Sequence, residues 1–480
     1  MIYKNQVLKI AIYSRALVFI TQYIFNHLIE DHQPDVFRYA TEEKKSLCDK
    51  VVQHFLGGFL RWDAQYYMHI AKNGYTYENS IAFPPLYPVI VRLIAIFLQN
   101  FITCVNFDSL LLLIFFIFNS IIFIKAATTL YELSEILLYP SIAYKSAVLF
   151  SFNPASVFFS APYTETLFSY LTFKSILNCL QFYRKYSDKT TVANFNDLFF
   201  ILPISLSTCT RSNGVLNTGF FIYMLICLFI DNFPKNHIMQ FIFIIKYLLL
   251  MFMYILLSLL PFLLYQQFCF DTFCKDFNVV LPEYVKNYGN EQGFVLPGEH
   301  SKHNQSWCAK EIPVAYSYVQ EHYWNVGFLR YYEFKQIPNF VLATPILALV
   351  ICNCLLYLKR NCSRNVLHLF SFKRLYEKSK NFNILYESTL FVFVIHAFAF
   401  SLFCLLFVHI QVSTRMLCSS TPFVYWISAF HLQNTNFKND VLKSFFFGKF
   451  SSNLEKFIKL YFMSYFFIGT ILFCNYLPFT

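Results

Sequence analysis

The chain has 480 residues, of which 57% are hydrophobic and only 14% charged, and it carries a formal net charge of +11. A soluble domain carries about 25% charged residues, so this composition excludes a soluble enzyme and predicts a polytopic membrane protein. The positive charge does not indicate nucleic acid, because the lysines and arginines fall between apolar runs, where membrane orientation puts them.

The apolar runs are continuous (IFIIKYLLLMFMYILLSLLPFLLY) rather than alternating, so the spans are helices. In chain order they are expected near 9–29, 86–103, 106–124, 146–160, 163–182, 197–209, 214–230, 239–266, 338–358, 384–411, 421–432 and 456–478. The first has no small-residue cleavage site and reads as an uncleaved anchor. Several are short for a full crossing, and broken helices at membrane depth are tolerated where they line a cavity. Lys4, Arg15, the Arg184-Lys185-Lys189 cluster and the basic stretch Leu358–Lys380 mark the cytosolic side. Two long loops, 30–85 and 267–337, then lie on the lumenal side. The second holds the sequon Asn304-Gln305-Ser306, a candidate glycosylation site, while Asn361-Cys362-Ser363 in the basic loop is expected to stay bare. With both 86–103 and 106–124 crossing, the parity is off by one: either 126–140 also crosses or one segment is re-entrant. No internal repeat or Gly-rich linker divides the chain, so residues 1–480 form one membrane domain with two loop insertions.

Four polar patches at the lumenal edges could carry chemistry. In FLRWDAQYYMHIAKNGYTYENSIAFPPLYP (59–88), Arg61, Trp62 and Asp63 open a short amphipathic helix expected to lie along the membrane surface. Its plain alternative is an interfacial aromatic belt with Asp63 as a helix cap or a partner of Arg61. In FNPASVFFSAPYTETLFSYLTF (152–173), Glu165 stands near membrane depth, where a carboxylate has a partner or a task unless it only caps the next helix. In STCTRSNGV (207–215), Arg211 occupies a tight turn and is either an ordinary loop cation or a phosphate ligand, since a guanidinium fits phosphate oxygens bidentately. In VHIQVSTRMLCSSTPFVYW (408–426), Arg415 is open to the same two readings. No Gly-rich nucleotide loop and no His-Glu-x-x-His zinc spacing is present, so an enzyme of this composition points to a lipid-borne donor.

These patches, together with WCAKEIPVAYSYVQEHYWNVGFLRYYEFKQIPNFVLATP (307–345), resemble in order the signatures of the PIG-V family, the GPI mannosyltransferase 2 enzymes. The resemblance implies a GT-C glycosyltransferase fold with about 10–13 transmembrane helices. It also implies an active site on the lumenal side of the endoplasmic reticulum membrane. The implied reaction moves mannose from dolichyl phosphate mannose to the glycosylphosphatidylinositol (GPI) precursor, adding the second mannose in α-1,6 linkage. A small accessory membrane subunit is a further candidate partner. Asp63 fills the position of the family's first-loop acid. Gln65, Tyr66-Tyr67 and Pro84-Pro85 depart from the family pattern.

On this reading Asp63 is the base, and Arg211, Arg415 and Arg330 are candidates for the donor phosphate. Glu165 orients a sugar hydroxyl or an arginine, and Arg61 and Trp62 bind substrate, with Trp62 or Tyr323-Trp324 stacking on a mannose ring. No cofactor or metal is expected, although Asp63 and Glu165 could hold one if they converge. One disulfide is expected among Cys48, Cys269, Cys274 and Cys308, with its pairing open. Rival readings are another dolichyl-phosphate-sugar transferase, a non-catalytic scaffold, and a transporter. The last calls for mid-span charges beyond Lys246.

Overall fold

The computed structural model describes residues 3–34, 36–41, 46–187, 195–276, 280–299, 307–361, 369–370, 372, 387–432 and 452–479. The sequon at Asn304 and most of the basic loop lie outside these residues. Every regular element among them is helical. Seven helical segments are long and apolar enough to cross a membrane, as a multi-pass membrane protein requires.

One end of the bundle, the loop end, gathers both long loops. The first loop follows α1 (Lys4–Leu28) and contains α2 (Leu47–Leu56) and α3 (Ala64–Asn73). Helix α4 (Leu86–Gln99) does not cross, contrary to the expectation for 86–103. Its fourteen residues reach only about 21 Å, against a hydrocarbon core of about 30 Å. Both ends stay at the loop end. Near its start Tyr87 meets Tyr67 of α3, with ring centroids 5.4 Å apart. Beyond its end, Asn106 N donates to Asp49 Oδ1 of α2 at 2.8 Å. Val89, Leu93, Ile96 and Phe97 are exposed along one face, so α4 is an interfacial helix whose apolar stripe imitates a span. Helix α2 exposes a similar stripe of Leu47, Val51 and Phe55. Helix α3, expected on the surface, is buried on nearly every side instead.

The parity problem closes here, because α5 (Phe107–Leu137) makes a single pass containing both 107–124 and 126–137. The chain returns through α6 (Pro140–Ser151) and an irregular stretch to residue 163 broken by one 3-10 turn, Ser156–Phe159, then descends in α7 (Glu165–Tyr186). Irregular backbone at membrane depth needs polar partners, and two side chains supply them. Arg15 is buried in α1 rather than facing the cytosol, and donates to Ser156 O at 2.9 Å and Ser160 Oγ at 2.8 Å. Asn119 of α5 donates to Ala161 O at 2.5 Å.

The remaining passes are α8 (Leu202–Thr210), α9 (Thr218–Asp231), α10 (His237–Phe273), α13 (Ile337–Asn361), α14 (Phe391–Phe407), the pair α15 (Ser413–Ser420) and α16 (Phe423–His431), and α17 (Asn453–Cys474). The second loop, between α10 and α13, contributes α11 (Glu283–Gln292) and α12 (Ala315–Trp324). A disulfide joins Cys274 at the end of α10 to Cys308. Cys269 is a buried free thiol, and Cys48 is free and exposed. The second loop is locked onto the first by Glu78, which accepts from Trp307 Nε1 and from the Tyr323 hydroxyl, each at 2.8 Å. Beneath them Ile81, Tyr265, Phe273, Trp307 and Val319 form a separate apolar cluster.

Candidate functional site

Asp63 sits at the N-terminus of α3, but its side chain neither caps the helix nor pairs with Arg61. The residue before it, Trp62, has φ 54°, a left-handed conformation that costs a non-glycine residue about 1–2 kcal/mol. One hydroxyl steadies both peptide groups around that strained residue. Tyr163 OH accepts from Asp63 N at 3.1 Å and donates to Arg61 O at 3.4 Å. This turn sends Arg61 and Asp63 in opposite directions. Arg61 faces away from the cavity described below. It donates to Cys474 O, Gly57 O, Asn26 Oδ1 and Asp31 Oδ2, each at 2.9 Å, tying the first loop to α1 and α17.

The Asp63 carboxylate reaches across to α15. Arg415 Nη1 donates to Asp63 Oδ2 at 2.8 Å and lies 3.8 Å from Glu165 Oε1. Arg211 Nη1 donates to the same Glu165 oxygen at 2.5 Å. Two acids and two arginines from α3, α7, α15 and the α8–α9 turn thus form one chain of ion pairs with no net charge. The acids converge on a guanidinium nitrogen, which puts a fixed positive charge where a metal would otherwise bridge them. Among the described residues no group of three or more His, Cys, Asp or Glu is arranged to hold a metal.

The local sequence explains how Arg211 gets there. Arg211 ends α8 in an extended conformation, and the chain then folds back as a short 3-10 turn, Ser212–Asn217. Gly214 passes so close to α8 that a Cβ on it would lie 2.3 Å from Ser207 O. The glycine is required by contact rather than by an unusual φ.

This cluster forms part of the wall of a cavity of about 1210 Å³. Trp62, Asp63, Glu165, Arg211 and Arg415 all line it. Glu165 is buried, while the Asp63 side chain is 31% exposed. Oδ1 of Asp63 accepts no hydrogen bond among the described residues, so one carboxylate oxygen is anchored and the other faces the cavity. From the charged end the cavity continues as an apolar groove between α9 and α14. Phe220 and Ile226 line one side, and Ile395, Phe400, Phe403 and Phe407 the other. Ile226, Ile395 and Phe403 are also exposed on the outside of the bundle, so the groove opens sideways toward lipid. Burial, with the Asp63 carboxylate nearby, pushes the Tyr66 phenol above its ordinary range, which keeps it a neutral donor at the cavity edge.

Of the residues singled out in the sequence, Asp63, Trp62, Glu165, Arg211 and Arg415 share this cavity, as does Trp324. Arg330 does not line it. Arg330 is exposed and pairs with Glu321 at 2.6 Å. Tyr323 is occupied by Glu78. Sequence reasoning passed over Tyr163, although it lies two residues before Glu165. In a chain with 34 tyrosines nothing marks one as a hinge pin until the strained Trp62 is seen beside it.

An acid–arginine cluster at the head of a lipid-open apolar groove, inside an all-α multi-pass bundle, is the build of a membrane-embedded glycosyltransferase. The chain belongs to the mannosyltransferase (PIG-V) family, which it matches over residues 4–480. It is 36% identical to a GPI mannosyltransferase 2 of Drosophila pseudoobscura pseudoobscura, over 99% of this chain and 100% of that protein. It is 32% and 30% identical to the GPI alpha-1,6-mannosyltransferase 2 of Rattus norvegicus and of Homo sapiens, in each case over 99% of both chains. Among solved structures it is similar to an oligosaccharyltransferase of Archaeoglobus fulgidus, with a TM-score of 0.43 and 9% identity. That likeness covers 98% of this chain and 56% of that one.

Proposed function

We propose that the protein transfers mannose from dolichyl phosphate mannose to a GPI precursor, adding the second mannose in α-1,6 linkage on the lumenal side of the endoplasmic reticulum membrane. The names and near-complete coverage of its relatives support the reaction. The observation that carries the mechanism is the half-satisfied Asp63, with one oxygen on Arg415 and the other free toward the cavity.

The donor is a β-linked mannosyl phosphate and the product is α-linked, so the anomeric carbon inverts in a single displacement. Inversion needs one base on the acceptor side and no covalent nucleophile. Asp63 Oδ1 takes the proton of the acceptor's primary hydroxyl as that oxygen bonds to the anomeric carbon. Arg415, fixed between the two acids, holds the carboxylate in place. The leaving group is a lipid phosphate, which departs with its bonding electrons and needs cationic help rather than an acid. Arg211 is the best placed to give it. Only its Nη1 is engaged by Glu165, it lines the cavity, and it stands where the α9–α14 groove begins. The groove takes the donor's polyprenyl chain. The reaction is proposed to need no metal, since the charge between Asp63 and Glu165 is already supplied by Arg415, and chelator should leave transfer unchanged.

The test is Asp63→Asn in the full-length protein, with mannose transfer measured in microsomes lacking the native enzyme. Transfer should fall by about 10²–10⁴-fold, and the GPI intermediate carrying one mannose should build up. Undiminished transfer would remove Asp63 as the base. Accumulation of a different lipid-linked sugar would point to another acceptor.

A further inference from the structure

The cavity has two unlike walls. The α9–α14 side carries the apolar groove and Arg211, which on the reading above suit a lipid phosphate. The facing wall is α12, a ten-residue helix of the second loop. Its position is fixed by its outer face. Ala315 and Val319 are buried in the apolar cluster around Trp307, and Tyr323 donates to Glu78. Tyr316, Gln320 and Trp324, at helical spacing, line the cavity, with Ser317 beside them turned to Val314 O.

Two of these three keep polar groups that are open to the cavity and bonded to no other described residue. The side-chain amide of Gln320 makes no hydrogen bond among the described residues, nor does the indole N–H of Trp324, although both side chains are half-buried. Trp324 also has an unusual ring environment. Its centroid lies 6.1 Å from both Tyr66 and Phe83, at interplanar angles of 64° and 84°. Tyr66 itself is stacked between Phe37 at 4.0 Å and Phe83 at 4.6 Å. None of Trp324's ring neighbours, Tyr323 at 6.0 Å and 53° included, is stacked parallel on it, and Trp324 lines the cavity.

We propose that the cavity face of α12 is the acceptor-sugar subsite, with Trp324 as the stacking platform and Gln320 as the group that reads ring hydroxyls. The proposal rests on the functional reading above. A pyranose ring presents a patch of C–H groups that packs on an aromatic face, and a planar amide both accepts from and donates to vicinal hydroxyls. A sugar laid on Trp324 keeps its exocyclic hydroxymethyl group beyond the ring edge. Tyr66, which Trp324 touches, is one helical turn from Asp63 on α3. The primary hydroxyl is thereby presented to the base while secondary hydroxyls are held by the amide, which makes α12 the element that sets the 1,6 linkage. A site built to hydrogen-bond a hydroxyl rejects analogues lacking it far better than an apolar pocket does.

The test uses full-length protein in microsomes, with dolichyl phosphate mannose and a one-mannose GPI lipid as substrates. Trp324→Ala should raise the KM for the GPI lipid roughly tenfold, and Gln320→Ala about three- to tenfold. The KM for the donor should stay within about twofold, and Trp324→Phe, which keeps an aromatic face, should recover most of the loss. Unmoved acceptor KM in both alanine variants, or an equal rise in donor KM, overturns the subsite alone. A wild-type protein that leaves the one-mannose lipid unmodified overturns the functional reading and the subsite together.

Discussion

Asp63 and Glu78 are carboxylates of the same loop, and the fold treats them oppositely. Glu78 is fully buried, and each of its oxygens accepts a hydrogen bond from the second loop, one from an indole and one from a phenol. Asp63 is 31% exposed, holds one arginine, and turns its other oxygen to a cavity. A fully buried acid with both oxygens engaged, away from the cavity lining, is out of reach of a substrate proton, and its value is the two loops it joins. A half-satisfied acid has both an anchor and a free lone pair. The same contrast separates Arg61, whose guanidinium is spent on backbone oxygens and two side chains, from Arg211, which gives one nitrogen to Glu165 at the mouth of the groove.

The largest effect should come from breaking the contrast at its reactive side. Asp63→Asn keeps the shape and an oxygen for Arg415 but cannot accept a proton, so kcat should fall about 10²–10⁴-fold. Its melting temperature should stay close to that of the wild type. A variant equally inactive but unfolded would make Asp63 a structural residue like Glu78. Next comes Arg211→Lys, which retains the charge on Glu165 and loses the fork. Donor kcat/KM should drop about 10–100-fold, the worth of a hydrogen bond between charged groups. Unchanged donor kinetics would move the phosphate to another cation.

Glu78→Gln should do the reverse of both. An amide offers one oxygen: when it accepts from Trp307, its N–H faces the Tyr323 hydroxyl, which must then accept and leaves its own proton without the carboxylate. Leaving one buried donor unsatisfied costs about 1–3 kcal/mol. Thermal unfolding should report that loss, while kcat per folded molecule stays near wild type. A large fall in kcat with unaltered melting would place Glu78 in the chemistry and dissolve the comparison.

Much of this contrast was legible in the sequence, and its limits are physical. Asp63, Glu165, Arg211 and Arg415 stood out because charge flanked by long apolar runs is costly unless it is used, and all four converge. The sidedness of neighbours was not legible. Arg61 and Asp63 are separated only by Trp62, and the left-handed turn at Trp62 that sends them apart leaves no trace in composition. Helix α4 reads as a span because hydropathy measures how apolar a segment is and not whether its apolar stripe lies flat on the membrane. Helix α3 reads as a surface helix in sequence, but Tyr284 and Trp324 of the second loop, more than 200 residues away, pack on its Lys72, Asn73 and Tyr66. The disulfide partner of Cys274, Cys308, is placed beside Trp307, which Glu78 of the first loop holds.

The smallest effect concerns α3, which carries Asp63 before it and Glu78 after it. His69 lies between them, buried, bonded through Nε2 to Thr76 Oγ1 at 2.6 Å and stacked on Tyr77 at 4.6 Å. Burial pushes its imidazole down to about 3, with the nearby Lys72 adding to the shift. The folded protein therefore keeps the ring neutral, while the unfolded chain binds a proton below about pH 6.5. Stability contributed by the neutral ring is complete above that pH and is lost as the pH falls from there toward 3. The slope is about 1.4 kcal/mol per pH unit, so near pH 5.5 the loss is about 1.4 kcal/mol. Thermal melts of the detergent-purified protein between pH 7.5 and 5 should fall along this slope, and His69→Gln should flatten it. If the slope survives the substitution, the titrating group is elsewhere and α3 is not the acid-sensitive seam between the reactive carboxylate and the structural one.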